Sequence, residues 1–285
     1  MPADARDALD VTLVRLASRP DAPREPVFTI TRRDSPDEVF LSVSRGADGY
    51  ALALTDVGTF LVAAGVISYT LEEGVSPLTL EQALVDQIVP RALHLFGLPS
   101  LHASAAWRED LGAIAFTGDS GAGKSTLCAA VAARGSIVSD DSLSLQVDGD
   151  AIVALPGYPS LRLWPDAAMQ FAVDAPSLVR ATPRVPKLRM TAPLVSGPVP
   201  LRTVIVLERH DERAPRLERL HGREAFLALQ KQVHRLAPDD PTALAAEFKL
   251  LSDVISRVAV RRLRYRPDLG ELESLVERII TAATT

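Results

Sequence analysis

Hydrophobic and polar positions divide the chain into a β-rich first part and a mixed second part. Up to residue 98, short segments rich in Val, Ile, Phe, Tyr and Thr are separated by glycines, which is typical of strands joined by turns. The segment 79–97 differs, because its apolar residues recur at spacings of three and four and predict a helix. Thr79 is the expected N-cap, and Pro90 is expected to kink or divide this helix.

From residue 99 onward, apolar strands alternate with helical patterns. Segment 111–118 predicts a buried strand, and the Ala-rich segment 124–134 predicts a helix that Gly135 ends. Segment 136–147 predicts a single strand, followed by a tight hairpin turn at Asp148–Asp150. The other predicted elements are strands at 101–107, 151–157, 201–209 and 258–266, and helices at 222–236, 241–257 and 268–283.

The segment 156–200 is rich in proline and is predicted to be irregular. Connections of this length are usually functional or disordered. Its basic residues are Arg162, Arg180, Arg184, Lys187 and Arg189.

Composition and charge narrow the function classes. The 285 residues suffice for one large domain or two small ones. A net charge of −5 gives no strong basic field, so we expect no nucleic-acid partner. The single cysteine, Cys128, fits a reducing compartment. The longest apolar stretch, Phe60–Leu71, is too short to span a bilayer, and the first twenty residues lack the apolar run of a secretory signal. We therefore expect a cytoplasmic protein without a membrane partner.

Residues 118–125 read Gly-Asp-Ser-Gly-Ala-Gly-Lys-Ser and match the phosphate-loop pattern G-x-x-x-x-G-K-[ST] throughout. A predicted strand precedes the motif and a predicted helix follows it. In such a loop the backbone N–H groups point at phosphate oxygens, and the helix N-terminus adds positive potential. Lys124 is expected to reach the β- and γ-phosphates, and Ser125 to hold Mg²⁺. The expected nucleotide contacts are Gly118, Asp119, Ser120, Gly121, Ala122, Gly123, Lys124, Ser125 and Thr126.

Two adjacent carboxylates, Asp140 and Asp141, follow the motif closely. Asp140 comes only fifteen positions after Ser125, so the next strand can return beside the loop. Adjacent strand residues point to opposite faces, so one carboxylate is expected to meet the metal and the other the acceptor hydroxyl. The alternative is a solvated strand end, where aspartate is common.

Three segments carry a resemblance to a known family: "LHASA" (Leu101–Ala105), "TGDSGAGKST" (Thr117–Thr126) and "SDD" (Ser139–Asp141). Together they resemble the HPr serine kinase/phosphorylase family, whose fold is related to phosphoenolpyruvate carboxykinase. The segment "LPGYPSLRLWPD" (Leu155–Asp166) is similar to shorter HPr-kinase-like proteins, among them kinases of lasso-peptide precursors. The resemblance implies an α/β (α+β) fold with a P-loop kinase core of this type, a small β-rich N-terminal region and C-terminal helices.

The resemblance also implies roles for individual residues. Asp140 corresponds to the base on the acceptor serine, and Asp141 joins Ser125 on the metal side. His102 becomes a polar contact near the transferred phosphate, although a structural histidine at a strand end is the alternative. Arg162 stands in for an arginine of the family's glutamate-arginine motif. The glutamate of that motif has no counterpart here, which leaves one metal ligand unassigned.

These inferences predict an ATP- and magnesium-dependent kinase that phosphorylates a serine hydroxyl on a peptide or protein. A small-molecule kinase and a non-catalytic ATP-binding regulatory partner are the alternatives. We expect an accessory region at residues 1–98 and the catalytic domain at 99–285. The expected partner is a serine-carrying peptide or protein, and the oligomeric state stays open, with a homo-oligomer among the alternatives.

Overall fold

The protein has a mixed α/β fold that divides into two compact units, residues 1–92 and 93–285. The sequence-based boundary between residues 98 and 99 lies a few residues later. The structure is a computed structural model. It describes residues 11–18, 24–32, 35–63, 65–171, 179–180, 186–211 and 214–283.

The first unit is built on a six-stranded sheet with the order β1-β6-β5-β4-β3-β2. β3 alternates between buried and more exposed positions, as expected for a strand with one covered face, whereas β4 and β5 are buried along most of their length. β1 runs parallel to β6, and the other neighbours are antiparallel. The strands are β1 (Thr12–Arg15), β2 (Glu25–Thr31), β3 (Val39–Gly46), β4 (Gly49–Leu54), β5 (Gly58–Ala63) and β6 (Val66–Leu71).

The predicted helix at 79–97 consists of α1 (Pro77–Ala83), a π-helical turn (Leu84–Ile88) and α2 (Val89–Leu95). The prediction of Thr79 as N-cap is wrong, because the Ser76 side chain accepts a hydrogen bond from the Thr79 backbone N at 3.1 Å. The π-helical turn comes directly before the turn that contains Pro90. Since proline has no N–H to donate, the widened turn interrupts the hydrogen-bond ladder there without ending the helix.

The second unit is built on a nine-stranded sheet whose central strands are parallel. β16 pairs in parallel with β9 on one side and with β18 on the other. The hairpin predicted at Asp148–Asp150 is confirmed by the β11–β12 pairing. The strands are β7 (Ser100–Leu101), β8 (Ala103–Arg108), β9 (Gly112–Gly118), β10 (Ser136–Ser139), β11 (Leu143–Asp148), β12 (Ala151–Ala154), β16 (Val199–Arg209), β17 (Arg216–Arg219) and β18 (Ala259–Tyr265).

Helices cover both faces of this sheet. On one face α3, α4 and α7 pack with Phe116 and Leu263, and on the other α5 and α6 pack with Ala115 and Val260. Burial on both faces explains why β9 and the middle of β16 are almost continuously apolar, whereas β18 carries three arginines. Within the described residues, no helix is long and apolar enough to cross a bilayer. The helices are α3 (Lys124–Ala132), α4 (Pro165–Phe171), α5 (Gly222–Gln230), α6 (Pro241–Arg257) and α7 (Leu272–Ala283), with a 3-10 turn (Leu269–Glu271) before α7.

Several sequence-based elements differ from the structure, and the strand predicted over 136–147 is divided into β10 and β11. The segment 156–200 is not wholly irregular, since it contains α4 and a small sheet of β13 (Ser160–Leu163), β15 (Leu188–Thr191) and β14 (Val179–Arg180). The helix predicted at 222–236 ends at Gln230, because Val233 pairs with Leu101 as an isolated β-bridge. This long-range pairing competes with the local helical pattern. Arg184 lies outside the described residues.

Candidate functional site

The glycine-rich loop (residues 118–125) connects the end of β9 to the start of α3. Gly118, Gly121 and Gly123 have φ angles of 137°, 78° and 103°, a region that glycine adopts without steric cost. A Cβ on Gly118 would overlap the backbone oxygen of Leu207, and one on Gly123 would overlap the hydroxyl of Tyr265. Glycine is therefore required for steric reasons at both positions of the motif, 118 and 123.

Lys124 folds back onto the loop. Its Nζ donates to the carbonyl oxygens of Gly118 at 2.9 Å and Asp119 at 3.2 Å. Burial lowers the pKa of Lys124 to about 8, and the positive charge of Lys187 acts in the same direction. The charge of Lys187 thus acts on Lys124, although the two are distant in sequence, and the carboxylates of Asp140 and Asp119 act in the opposite direction.

Tyr265, the last residue of β18, contacts the backbone of the glycine-rich loop. Its hydroxyl donates to the carbonyl oxygen of Ala122 at 2.5 Å. Burial raises the pKa of Tyr265 to about 12, so the hydroxyl keeps its proton. Sequence reasoning missed this residue, because it lies in the predicted strand at 258–266, far along the chain from the glycine-rich motif.

Asp140 connects the loop to the strand that returns beside it. It directly follows β10 and is buried, with 5% of its surface exposed. Its Oδ1 accepts hydrogen bonds from the Ser125 hydroxyl at 2.8 Å and the Ser104 hydroxyl at 2.5 Å, and its Oδ2 accepts from the Arg162 backbone N at 2.8 Å. Ser104 lies in the "LHASA" segment but was not predicted as a site residue.

Asp141 lies in a turn, so the prediction that both aspartates belong to a strand is wrong. Its φ of 60° is left-handed, and the turn closes with a hydrogen bond from the Ser142 backbone N to the Asp140 carbonyl oxygen at 2.8 Å. β10 therefore ends, and β11 pairs elsewhere with β12 and β7.

The two carboxylates have different partners, as expected, although the strand argument for this was wrong. The Asp141 side chain forms an ion pair with Arg162 and lies 3.6 Å from Nε2 of His102. Ser125, expected to share the metal side with Asp141, is hydrogen-bonded to Asp140 instead.

His102 has a second histidine beside it. His102 lies between β7 and β8, and its ring stacks on the ring of His234 with 5.4 Å between centroids. The Nε2 of His234 is 3.1 Å from the Asp141 carbonyl oxygen, within hydrogen-bond distance. Sequence reasoning placed His234 on a helix. No local sequence pattern marks its true position, which depends on the long-range pairing of its neighbour Val233 with Leu101.

The segment 232–235 that carries His234 is anchored on both sides. The His102 backbone N donates to the Gln232 carbonyl oxygen at 2.6 Å, and the His234 backbone N donates to Ser100 at 3.0 Å. Behind it, Arg235 Nε donates to the buried carboxylate of Glu247 at 2.7 Å. Burial alone would raise the pKa of Glu247, but hydrogen bonds from Arg235 and His94 bring it below the ordinary value. A charged Glu247 therefore fixes this segment.

The small sheet brings three further side chains to the region. Arg162, which stands in for the arginine of the family's glutamate-arginine motif, forms an ion pair with Asp141 through its guanidinium. The Nζ of Lys187 lies 5.9 Å from the ring centroid of Trp164, whose side chain is exposed.

The residues expected to contact the nucleotide differ in exposure. The tip of the glycine-rich loop is exposed at Asp119, Ser120 and Gly121, whereas the first turn of α3 is half-buried at Ser125 and Thr126.

Ser125 and Asp140 place two oxygen atoms at the loop that could bind a cation together with phosphates. Within the described residues there is no group of three or more His, Cys, Asp or Glu arranged to hold a metal ion. The oxygens of Ser125 and Asp140 are 2.8 Å apart and offer two oxygen ligands. Mg²⁺ commonly uses one or two protein oxygens and completes its shell with phosphates and water.

Cys128 takes no part in this chemistry. It is fully buried on α3, and burial, followed by the charge of Asp140, raises the pKa of its thiol well above the ordinary value. This environment fits a packing role for Cys128.

Comparison with known proteins gives a weak structural similarity. No protein-family model matches the chain, and no curated protein matches it. Among solved structures, the chain is similar to HPr(Ser) kinase/phosphatase from Coxiella burnetii at 13% identity and a TM-score of 0.35. This alignment covers 65% of the present chain and 90% of the other. A TM-score this low carries no argument about function, so the function rests on the site itself.

Proposed function

We propose that the protein is an ATP- and Mg²⁺-dependent kinase that transfers a phosphoryl group to a serine hydroxyl on a peptide or protein. The observation that carries the proposal is the hydrogen bond between Ser125 of the glycine-rich loop and Asp140. It brings a phosphate-loop motif into direct contact with a carboxylate, while a second carboxylate and a histidine adjoin it. Phosphoryl transfer needs this combination of positioning and charge neutralisation more than it needs covalent help.

The glycine-rich loop would bind the nucleotide phosphates. Its N–H groups and the N-terminus of α3 favour negative charge. Lys124 now donates to two loop carbonyls, and a bound phosphate would compete for its ammonium group. Lys187, whose charge already acts on Lys124, would add to the attraction.

Asp140 and Ser125 would hold Mg²⁺. When bound, the ion neutralises charge on the phosphates. Ser104 and the Arg162 backbone N keep the Asp140 carboxylate oriented towards the loop. Asp140 thereby takes the metal-side role that the resemblance assigned to Asp141.

Asp141 is our candidate for the base that orients and deprotonates the acceptor hydroxyl. Its side chain is 22% exposed, so an acceptor can reach it. Asp140, by contrast, is buried and already accepts three hydrogen bonds. His102, at 3.6 Å from Asp141, would contact the transferred phosphate or the acceptor. The proposal therefore reverses the two aspartate roles that the resemblance implied.

The acceptor class is supported by sequence alone. A peptide or protein serine follows from the resemblance of Leu155–Asp166 to kinases of peptide precursors. A metabolite kinase would use the same loop and carboxylates. A regulatory ATP-binding protein would need the loop but no base.

Transfer of labelled phosphate from ATP tests the proposal. With Mg²⁺ and serine-containing peptides, the wild-type protein should form phosphoserine, and Asp141→Asn should bind ATP but transfer none. ATP binding without transfer to any peptide, but with transfer to a metabolite hydroxyl, would favour the metabolite kinase. Binding without any transfer would favour the regulator.

A further inference from the structure

A second cavity lies at the opposite end of the nine-stranded sheet from the glycine-rich loop. It has a volume of 740 Å³ and is bordered by the first residues of β9 and β18, the start of β16 and the last residues of α7. β9 is seven residues long, which separates its two ends by roughly 20 Å. The cavity is therefore distinct from the proposed phosphoryl-transfer site.

Arginine is the prominent residue of this cavity, which we name the arginine pocket. The arginines that border it are Arg202, Arg219, Arg257 and Arg261. Arg257 is already engaged, since it donates to Asp253 at 2.8 Å and to the Gly149 carbonyl oxygen at 3.0 Å. Within the described part of the chain, the other three have no ion pair or side-chain hydrogen bond.

The two faces of β18 differ in their ion pairs. Arg262, on the other face, pairs with Glu208, Glu218 and Glu224 at 2.8, 3.0 and 2.7 Å. Its neighbour Arg261 faces the pocket, and the Nε of Arg261 is buried without a hydrogen-bond partner among the described residues. Arg262 therefore has carboxylate partners and Arg261 has none within the described residues. The pocket lining also includes the carboxylates of Glu109 and of Asp110, which pairs with Arg108.

Arg219 and Arg261 also lie directly opposite each other in the antiparallel β17–β18 pair. Like charges at such positions destabilise a sheet, so an anion between them would relieve the repulsion. Arg202 crosses the same space, because a Cβ on Gly112 would overlap its Cγ. Glycine at 112 therefore leaves room for the arginine stem.

We propose that the arginine pocket binds a small metabolite that carries one or more phosphate groups. Guanidinium groups bind phosphate through paired N–H donors, and three of them are available here. The volume falls in the range of roughly 300–1,000 Å³ that is usual for small-molecule sites and exceeds the need of a phosphate alone. The half-buried Trp107 and the carboxylate of Glu109 also line the pocket, and they can contact a ring and accept hydroxyl hydrogen bonds.

Inorganic pyrophosphate is a suitable probe, provided that the glycine-rich loop is prevented from binding it. Calorimetric titrations are therefore made with Lys124→Met protein, whose fold is checked by circular dichroism. Arg219→Gln and Arg261→Gln are added to this background one at a time. Arg45→Gln, at an exposed arginine of the first unit, serves as the matched control.

The proposal expects one pyrophosphate to bind the Lys124→Met protein and at least a tenfold loss of affinity with each pocket variant, but none with Arg45→Gln. Without pyrophosphate, Arg219→Gln should raise the melting temperature because it removes the cross-strand repulsion. With pyrophosphate, the same variant should lose the stabilisation that the parent gains.

Three results would overturn the proposal. They are the absence of pyrophosphate binding to the Lys124→Met protein, binding that the pocket variants leave unchanged, and binding of a single-stranded DNA oligonucleotide in place of pyrophosphate. Because the background lacks a working loop, none of these results depends on the proposed kinase activity.

Discussion

Lys124 shows how one buried charge sets the pH dependence of the site. Burial, with a further contribution from Lys187, lowers its pKa to about 8. Below pH 8 the ammonium is charged and attracts phosphate. Above pH 8 it is neutral in the free protein, and phosphate binding must recharge it by taking up a proton.

We therefore expect the affinity for Mg²⁺-ATP to fall as the pH rises from 8 to 9.5. Titration calorimetry at several pH values measures this directly. Lys187→Gln is the matched control, because removal of the neighbouring charge should raise the Lys124 pKa and move the loss of affinity to higher pH. An affinity that stays constant from pH 7 to 9.5 would contradict this account of Lys124.

His234 acts through the backbone of Asp141. Its ring nitrogen is 3.1 Å from the carbonyl oxygen of a residue held in the left-handed region. Loss of a hydrogen bond of this kind costs about 1 kcal/mol, or roughly a factor of five. We expect His234→Ala to lower kcat by about this factor while the affinity for ATP stays unchanged.

The matched control for this prediction is His221→Ala, since His221 is exposed and makes no side-chain cap to α5. Steady-state kinetics at saturating ATP separates the two variants. If His234→Ala lowers ATP affinity and leaves kcat unchanged, His234 does not position Asp141.

The glycine-rich loop depends on β18 as an element, through Tyr265. Tyr265→Phe removes the hydroxyl that donates to Ala122 and leaves that carbonyl oxygen without its partner. We expect a loss of about 1 kcal/mol in the free energy of unfolding together with weaker ATP binding. Urea denaturation and calorimetry measure the two effects. Tyr69→Phe, in the first unit, should change neither the loop nor ATP affinity, and equal ATP affinity in both variants would refute the support by Tyr265.

At the scale of elements, sequence reasoning succeeded where the signal was local. β9, α3, the Asp148–Asp150 hairpin and α6 follow from apolar periodicity, glycine and capping. The prediction of a single strand over 136–147 was wrong, since this segment is divided into β10 and β11. No local sequence pattern predicts the left-handed φ of Asp141 between them. Sequence reasoning failed again at 222–236, because the pairing of Val233 with Leu101 joins residues more than a hundred positions apart.

The candidate site shows the same division between local and long-range information. The loop, Lys124, Ser125 and the aspartate pair could be named from the sequence, because each belongs to a contiguous motif. Ser104, His234 and Tyr265 could not be assigned, since only the sheet brings them to the loop. The roles that we propose for Asp140 and Asp141 likewise rest on partners from distant parts of the chain.

At the scale of the whole molecule, the described site residues from His102 to Tyr265 belong to the second unit. Each unit has its own sheet. We therefore expect a fragment of residues 76–285 to bind Mg²⁺-ATP with the affinity of the full chain. The fragment keeps Ser76, which caps α1, and His94, which contacts Glu247. A fragment that is folded by circular dichroism but has lost ATP binding would show that residues 1–75 contribute to the site.

The most direct test of the central claim is transfer of the γ-phosphate from labelled ATP to peptides. The substrates are a randomised peptide library with one fixed serine and the matched library with alanine in its place, each with and without Mg²⁺. We predict Mg²⁺-dependent labelling of the serine library alone. Asp141→Asn should lower the rate of labelling by a factor of at least about 100 while it retains ATP binding. Asp140→Asn should bind Mg²⁺-ATP more weakly. If the wild-type protein binds Mg²⁺-ATP no better than Lys124→Met, or if Asp141→Asn transfers phosphate as fast as the wild type, the proposed kinase site is wrong.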